Sequence, residues 1–355
     1  MAEWYCTTDL IQEAHRVLAG PTWDYISGGA ESETTLRRNR VALDSLAFRA
    51  RIMRDMEHVD TGATLLGAKL KIPVILAPVG SLQLLAPPGG AASIAAARRF
   101  GTLSVLSSVS QPLLDTLEPG AGDGGWFQLY LRGDLDWCHE RIGRIERAGF
   151  GALVLTADTT TYGRRERQIL VGWLPPSKRG ADLGAEYQAR MDWTMLGEIR
   201  RMTSLPVVLK GIQTAEDALL AIEHGVSCLW ISNHGGRQLD HARPTIDILR
   251  EVAGAVGRAA PIIVDGGIMR GTDVLKAVAL GADAVALGRL QAWALAADGE
   301  AGVHRLLEIL EEEIAVSLQL LGASSPSALD PSYLAQASPL AAPACFPLLT
   351  GGIAF

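Results

Sequence analysis

The sequence predicts an α/β protein folded as a (β/α)₈ barrel, a TIM barrel, and three observations carry that expectation. Eight short apolar, β-branched runs recur along the chain, stretches of helical spacing separate them, and glycine marks the places where a helix gives way to the next run. The runs are Ile72 to Ala77, Leu103 to Ser107, Phe127 to Leu131, Ala152 to Thr156, Val207 to Lys210, Cys228 to Ser232, Ile262 to Asp265 and Ala284 to Leu287. An unbroken apolar run of this length is how a parallel strand buried on both faces reads. Between them, Ala91 to Arg99, Leu135 to Ala148, Thr194 to Met202, Ala215 to His224, Ile246 to Val256 and Thr272 to Leu280 have amphipathic helical spacing. Gly149, Gly225 and Gly281 stand where a helix C-cap needs a positive φ before the next strand. An open doubly wound sheet shares this local grammar and is the alternative from pattern alone, while eight units favour closure.

The rest of the chain is organised around that core as one domain, with an N-terminal helical cap over about residues 1–70, the barrel over about 71–322 and a tail over about 323–355. In the cap, Asp9 and Gln12 are spaced as a capping box, and Gly20-Pro21 reads as the stop of that helix. The stretch from Arg165 to Asp192, rich in Gly, Pro and charge, follows the fourth strand and is expected to lie over the catalytic face. From Ser324 onward the Ala/Pro/Ser-rich tail has little periodicity and reads as an extended surface strap.

Composition narrows the functions. Hydrophobic residues are 48 % and charged residues 20 %, which supplies a large core. With a net charge of −7 and no long run of Lys or Arg, nucleic acid and anionic membrane surfaces are poor partners. Small-molecule chemistry is the better expectation. Cys6, Cys138, Cys228 and Cys345 are scattered, without metal-ligand spacing, so no metal site and no disulfide framework is expected and a cytoplasmic location fits. Charges at Glu3, Asp9, Glu13 and Arg16 interrupt the apolar stretch a secretory leader needs, and no run is long enough to span a membrane.

The polar residues fall at the C-terminal ends of the strands: Ser107, Ser108, Gln128, Tyr130, Thr156, Asp158, Lys210, Asn233, His234, Asp265 and Arg289. In a barrel that rim is the active-site face. Asp265-Gly266-Gly267 after the seventh strand and Gly288-Arg289 after the eighth stand where barrels hold a phosphate on backbone N–H groups, so a phosphate-bearing ligand is expected.

The segment Ser232-Asn233-His234-Gly235-Gly236-Arg237-Gln238-Leu239-Asp240 resembles the signature of the FMN-dependent α-hydroxy-acid oxidase and dehydrogenase family. The resemblance continues in order through Asp24-Tyr25, Ala77-Pro78, Leu106-Ser107-Ser108, Phe127 to Tyr130, Leu155-Thr156, Asp158, Gly163 to Glu166, Lys210-Gly211, Gly271 to Asp273 and Gly288-Arg289. It implies an FMN enzyme that oxidises an (S)-2-hydroxy acid to the 2-oxo acid, passing a hydride equivalent to flavin N5 while His234 takes a proton. By the same resemblance Asp158 orients His234, Arg237 and Tyr25 bind the substrate carboxylate, Tyr130 bonds the reacting hydroxyl, and Arg165 adds positive charge. Lys210 would lie beside the flavin N1/O2 edge. Ser107, Gln128, Thr156 and Ser232 fall among the flavin-binding positions, with Pro78, Val79 and Gly80 facing N5 and Asp265, Gly266, Gly267, Gly288 and Arg289 at the phosphate end. Oxygen or a soluble electron acceptor and a homo-oligomer, commonly a tetramer, are implied as partners.

Departures from the family pattern are informative. Met269 replaces a customary Arg in the phosphate stretch, so FMN is expected to be held less tightly unless Arg270 or Arg289 compensates. Thr160-Thr161 replaces Pro-Arg, Arg167 to Trp173 lacks the usual pattern, and the lid after strand four is shortened. Gly80 stands where glycolate- and lactate-type oxidases have Ala, and Val109 where glycolate oxidase has Trp, both opening space for a bulky or aromatic acid of mandelate type. Tyr162 or the altered lid could refill that space. A non-redox FMN barrel such as a type 2 isopentenyl diphosphate isomerase is the rival reading, although it has no use for His234 and Arg237 in this motif.

Overall fold

A computed structural model describes residues 4–176 and 184–338. Eight parallel strands close into a barrel in sequence order: Val74–Leu76, Ser104–Ser107, Gly125–Leu129, Leu153–Thr156, Val207–Ile212, Cys228–Ile231, Ile262–Val264 and Ala284–Leu287. The eighth pairs with the first through Val285 and Val74, so there is no open edge and the doubly wound alternative falls. All eight expected runs are strands, with ends moved by a few residues. The third begins earlier, at Gly125, and the fifth runs on to Ile212 through a register shift between Lys210 and Ile212.

Alternation along the strands explains both the core and the site. Ile75, Val105, Trp126, Val154, Val208, Trp230, Ile263 and Ala286 share one buried cluster inside the barrel, while their neighbours Leu76, Leu106, Phe127, Leu155, Leu209, Leu229 and Val264 belong to a second cluster with the surrounding helices. Because side chains alternate with period two, the next inward positions are Ala77, Ser107, Gln128, Thr156, Lys210, Ser232, Asp265 and Gly288. The top layer of the interior is therefore polar by the same register that makes the layer beneath it apolar. At the opposite end, the hairpin Ala63–Leu65 with Ala68–Leu70 brings Leu65 and Leu70 into the interior cluster and closes the bottom.

The bulge at the fifth strand has a steric cause. Gly211 sits at φ +111, and a Cβ there would meet the backbone nitrogen and side chain of Asp158 at 2.8 Å. Glycine is required, and it lets the fourth- and fifth-strand ends approach so that Lys210 and Asp158 enter one space.

Two details of the cap differ from expectation. The first helix spans Thr7–Val17 with Cys6 as N-cap, and Asp9 is its third residue, its carboxylate accepting from the backbone N–H of Tyr5 (3.0 Å) and Cys6 (3.2 Å). Gly20-Pro21 opens the next helix, Gly20–Ser27, rather than stopping the first; proline is tolerated there because the first-turn N–H has no helical partner. The described part of the tail is not a simple extended surface strap: it makes two 3-10 turns, Pro326–Ala328 and Pro331–Tyr333, buries Tyr333, and pairs Leu334–Gln336 antiparallel with Leu46–Phe48; residues 339–355 lie outside the described residues. Among the described residues the segment after strand four carries the short helices Glu166–Leu170 and Ala185–Ala189, and Gln188 of the latter is buried. No helix among the described residues is long and apolar enough to cross a membrane.

Candidate active site

At the C-terminal rim a cavity of about 320 Å³ opens. Its walls include Tyr25, Pro78, Val79, Gly80, Tyr130, Arg165, Lys210, His234, Arg237, Asp265, Gly266, Gly267, Gly288 and Arg289, so residues separated by most of the chain converge as the sequence predicts. Ser107, Gln128, Thr156, Asp158 and Ser232 do not line it. They are buried in the layer behind, where Asp158 holds His234, Ser232 holds His234 and Lys210, and Ser107 holds Gln128.

His234 follows the sixth strand on a turn that few side chains adopt. It has φ +56, with Gly235 at +62 and Gly236 at +73, and a left-handed non-glycine residue persists only where its surroundings hold it. Here the Ser232 hydroxyl accepts from His234 N–H (2.9 Å), and the Asn233 side chain accepts from Gly236 N–H (3.2 Å). Asn233 is in turn locked to Asn39 of the cap by a reciprocal amide pair (3.0 and 2.8 Å). The turn aims the imidazole into the cavity with Nδ1 3.0 Å from Asp158 Oδ1.

That pair is electrostatically asymmetric. For Asp158, burial pushes the carboxyl up, but His234 and Lys210 outweigh it and bring it to about 2. For His234, burial is the largest influence and holds the imidazole below its ordinary value, with Asp158 opposing. The ring is thus neutral at pH 7 and next to a fixed carboxylate, the condition of a base.

Lys210 donates to Ser232 Oγ (2.9 Å) and lies 3.5 Å from Asp265 Oδ2. Asp265 also accepts from Ser232 Oγ (2.8 Å) and from Trp230 Nε1 (3.0 Å). Burial alone would lower the Lys210 ammonium, yet Asp265 and Asp158 outweigh it, raise it and keep it charged. Asp265 therefore balances a cation, an arrangement that the sequence reading, which grouped it with the phosphate glycines, did not foresee.

Arg165, Arg237 and Arg289 crowd the remaining wall, which Arg132 also lines. Arg237 Nη1 donates to the carbonyls of Ile26 (3.2 Å) and Gly28 (2.8 Å), setting its guanidinium 5.2 Å from the Tyr25 ring centroid. Arg289 donates to the carbonyls of Ser27, Gly235 and Gly28. Arg165 donates to the Tyr162 hydroxyl (2.7 Å) and stacks on its ring. Burial first, and then mutual repulsion, brings Arg165 down to about 10 and Arg289 to about 9. A wall that disfavours its own charges is a wall prepared for anions. The Tyr25 hydroxyl donates to Gly80 O (3.2 Å), so it reaches the cavity beside the strand-one turn.

The family profile of FMN-dependent dehydrogenases matches residues 14–336. The chain belongs to this family. It is 37 % identical over 343 residues to glycolate oxidase of Spinacia oleracea, covering 91 % of this chain and 93 % of that protein. A peroxisomal (S)-2-hydroxy-acid oxidase of Oryza sativa subsp. japonica is 38 % identical over 340 residues, covering 90 % and 93 %. Among solved structures, mandelate oxidase superposes with a TM-score of 0.86 at 37 % identity, covering 95 % of this chain and all of that one; its complex with benzoyl-formic acid gives 0.85.

The residues present fit FMN. Gln128 Oε1 accepts from Ser107 Oγ (2.8 Å) while its Nε2 is buried with no hydrogen-bond partner, a donor waiting for the acceptor edge of a planar heterocycle. A Cβ at Gly288 would meet nothing within 4 Å, which leaves that backbone open to the cavity beside the Arg289 guanidinium. Met269 is buried in the wall, and Arg270 does not take over the missing charge, since it pairs with Glu313 (2.7 Å). Arg289 alone of the two faces the cavity.

Several residues that shape the site were not singled out in the sequence. Asn39, Arg132, Thr159, Gln188 and Trp293 all bear on it, and Asn39 acts across 194 positions of sequence, a distance at which no local motif announces a partner.

Proposed function

We propose that the protein oxidises an (S)-2-hydroxy acid to the 2-oxo acid, with a preference for bulky or aromatic acids of mandelate type. The observation that carries the reading is His234 held 3.0 Å from Asp158 in a cavity walled by Arg165, Arg237 and Lys210. FMN, when bound, supplies the two-electron acceptor. Gln128, Thr156 and Lys210 would hold its ring, with Ser107 steadying Gln128 and Ser232 steadying Lys210, and the Gly266, Gly267, Gly288 and Arg289 wall its phosphate. Arg237 offers a planar fork to the substrate carboxylate, and Tyr25 adds a hydroxyl beside it. Tyr130, whose phenol burial keeps protonated, hydrogen-bonds the reacting oxygen. His234 takes the proton lost from the substrate, and Asp158 stabilises the imidazolium that results.

Support for a bulky substrate comes from Gly80 and Val109 in the cavity wall and from the likeness to mandelate oxidase structures. A soluble acceptor or oxygen would complete turnover, in a cytoplasmic homo-oligomer such as a tetramer. The test is anaerobic bleaching of the oxidised-flavin absorbance with a panel of (S)-2-hydroxy acids. Mandelate or phenyllactate should exceed glycolate in kcat/KM by at least about tenfold, and His234→Gln should retain FMN yet lose roughly 10²-fold or more of the rate. Bleaching by no hydroxy acid would refute the reaction class, and a preference for glycolate would refute the substrate size alone.

A further inference from the structure

Behind the rim lies a second cavity of about 410 Å³, and Tyr162 and Arg165 belong to the walls of both. They form a partition: Arg165 Nη1 donates to the Tyr162 hydroxyl (2.7 Å), and that hydroxyl donates onward to Gln168 Oε1 (3.1 Å). Gln168 stands on the helix Glu166–Leu170, is 3 % exposed, and lines the outer cavity. Its Nε2 is buried and has no hydrogen-bond partner. A buried amide donor left unsatisfied is unfavourable, and a ligand oxygen arriving there would satisfy it. The rest of the wall is apolar where Ile169, Trp173 and Leu174 contribute, and Trp173 packs against Tyr25 of the inner cavity at 5.4 Å between ring centroids.

An orphan N–H donor and a guanidinium, joined through the Tyr162 hydroxyl in one cavity wall that is otherwise partly apolar, are complementary to a small carboxylic acid with an apolar body. We propose that the outer cavity is a second binding site for a monocarboxylic acid of the substrate's own class, its carboxylate on Gln168 Nε2 and Arg165 and its side chain against Ile169, Trp173 and Leu174. The acid waits there, one partition away from His234, and Tyr162 is the residue that must move for it to pass inward. Two acid molecules can then occupy one protomer at once. This rests on the reading of the inner cavity as a 2-hydroxy-acid site, and the experiment separates the two.

The FMN-loaded protein is titrated with phenylacetate, which lacks the hydroxyl to be oxidised, and total binding is measured by equilibrium dialysis while perturbation of the flavin absorbance reports the inner site. Two molecules per protomer are expected, only one of which changes the flavin spectrum. In Gln168→Leu, which removes the amide at nearly constant volume, and in Ile169→Glu, which sets a like charge at a half-exposed wall position, the stoichiometry should fall to one with the flavin change retained. One molecule per protomer in the unaltered protein, with the flavin perturbed, overturns the second site and leaves the inner one standing. Two molecules in both variants also overturns it, and no binding at all overturns both readings.

Discussion

Replacing Gly80 by alanine tests how the site measures substrate size. A Cβ at Gly80 would meet Val109 Cγ2 at 3.0 Å and the Tyr25 hydroxyl at 3.6 Å, so the methyl has room only if Val109 yields by a few tenths of an ångström. Gly80 has no left-handed φ, and alanine is therefore not strained by the backbone. The cost is one of packing: an extra methyl in a filled wall destabilises by about 1–3 kcal/mol when neighbours cannot move. If Val109 yields, it yields toward the space where the acid's side chain lies, and a methylene-sized loss of room is worth about 1–3 kcal/mol of discrimination. The kcat/KM ratio of mandelate to glycolate in Gly80→Ala should fall by at least about tenfold, while glycolate itself changes little. Removing the clashing atoms with Val109→Ala in the same chain should return most of the ratio. Anaerobic stopped-flow reduction of the flavin with mandelate, phenyllactate and glycolate measures it. An unchanged ratio in a folded, FMN-loaded Gly80→Ala protein would refute the argument that Gly80 and Val109 set the size limit.

Other perturbations probe the remaining charges. Asp158 is the group that raises the His234 pKa against burial, so Asp158→Asn should move the acid limb of the kcat/KM profile to lower pH and lower its plateau by roughly 10²-fold or more; a limb that moves upward would contradict the sign. Lys210→Met leaves Asp265 and Ser232 without their cation, and FMN should dissociate at least about tenfold more readily, since a hydrogen bond to a charged group contributes about 1.5–3 kcal/mol. Fluorescence titration with free FMN reads this directly, and unchanged affinity would remove Lys210 from the flavin site. Met269→Arg should tighten FMN by about tenfold through one added charged contact, most visibly at low salt; weaker binding would show that repulsion from Arg289 prevails.

How much of this was legible depended on whether the determinant was local. The strands were readable because both of their faces are buried, which turns each into an unbroken apolar run, and at six of the eight strands a polar residue at the C-terminal end then falls on the inward register. His234 was readable because its turn needs Gly235 and Gly236 next to it in sequence. The Asn39 amide pair was not, nor was the Tyr162–Gln168 partition, since their meaning lies in contacts set by the closed barrel and the lid. Gly20-Pro21 misled because the same dipeptide can end one helix or begin another, and only the packing of Trp23 against Trp293 decides which.

The carbonyl of Gly28 is shared by Arg237 Nη1 at 2.8 Å and Arg289 Nη2 at 2.9 Å. One peptide plane thus carries the lone pairs that steady both the Arg237 and the Arg289 guanidinium. An acid that draws Arg237 away from this oxygen leaves it more fully to Arg289, and a phosphate that draws Arg289 away does the converse. On the proposed roles of the two arginines, occupancy at either end would be felt at the other, and linkage would make the coupling equal in both directions. The N-terminal cap, which supplies that plane, is thereby a structural part of the cavity wall at two places, through Arg237 and through Arg289.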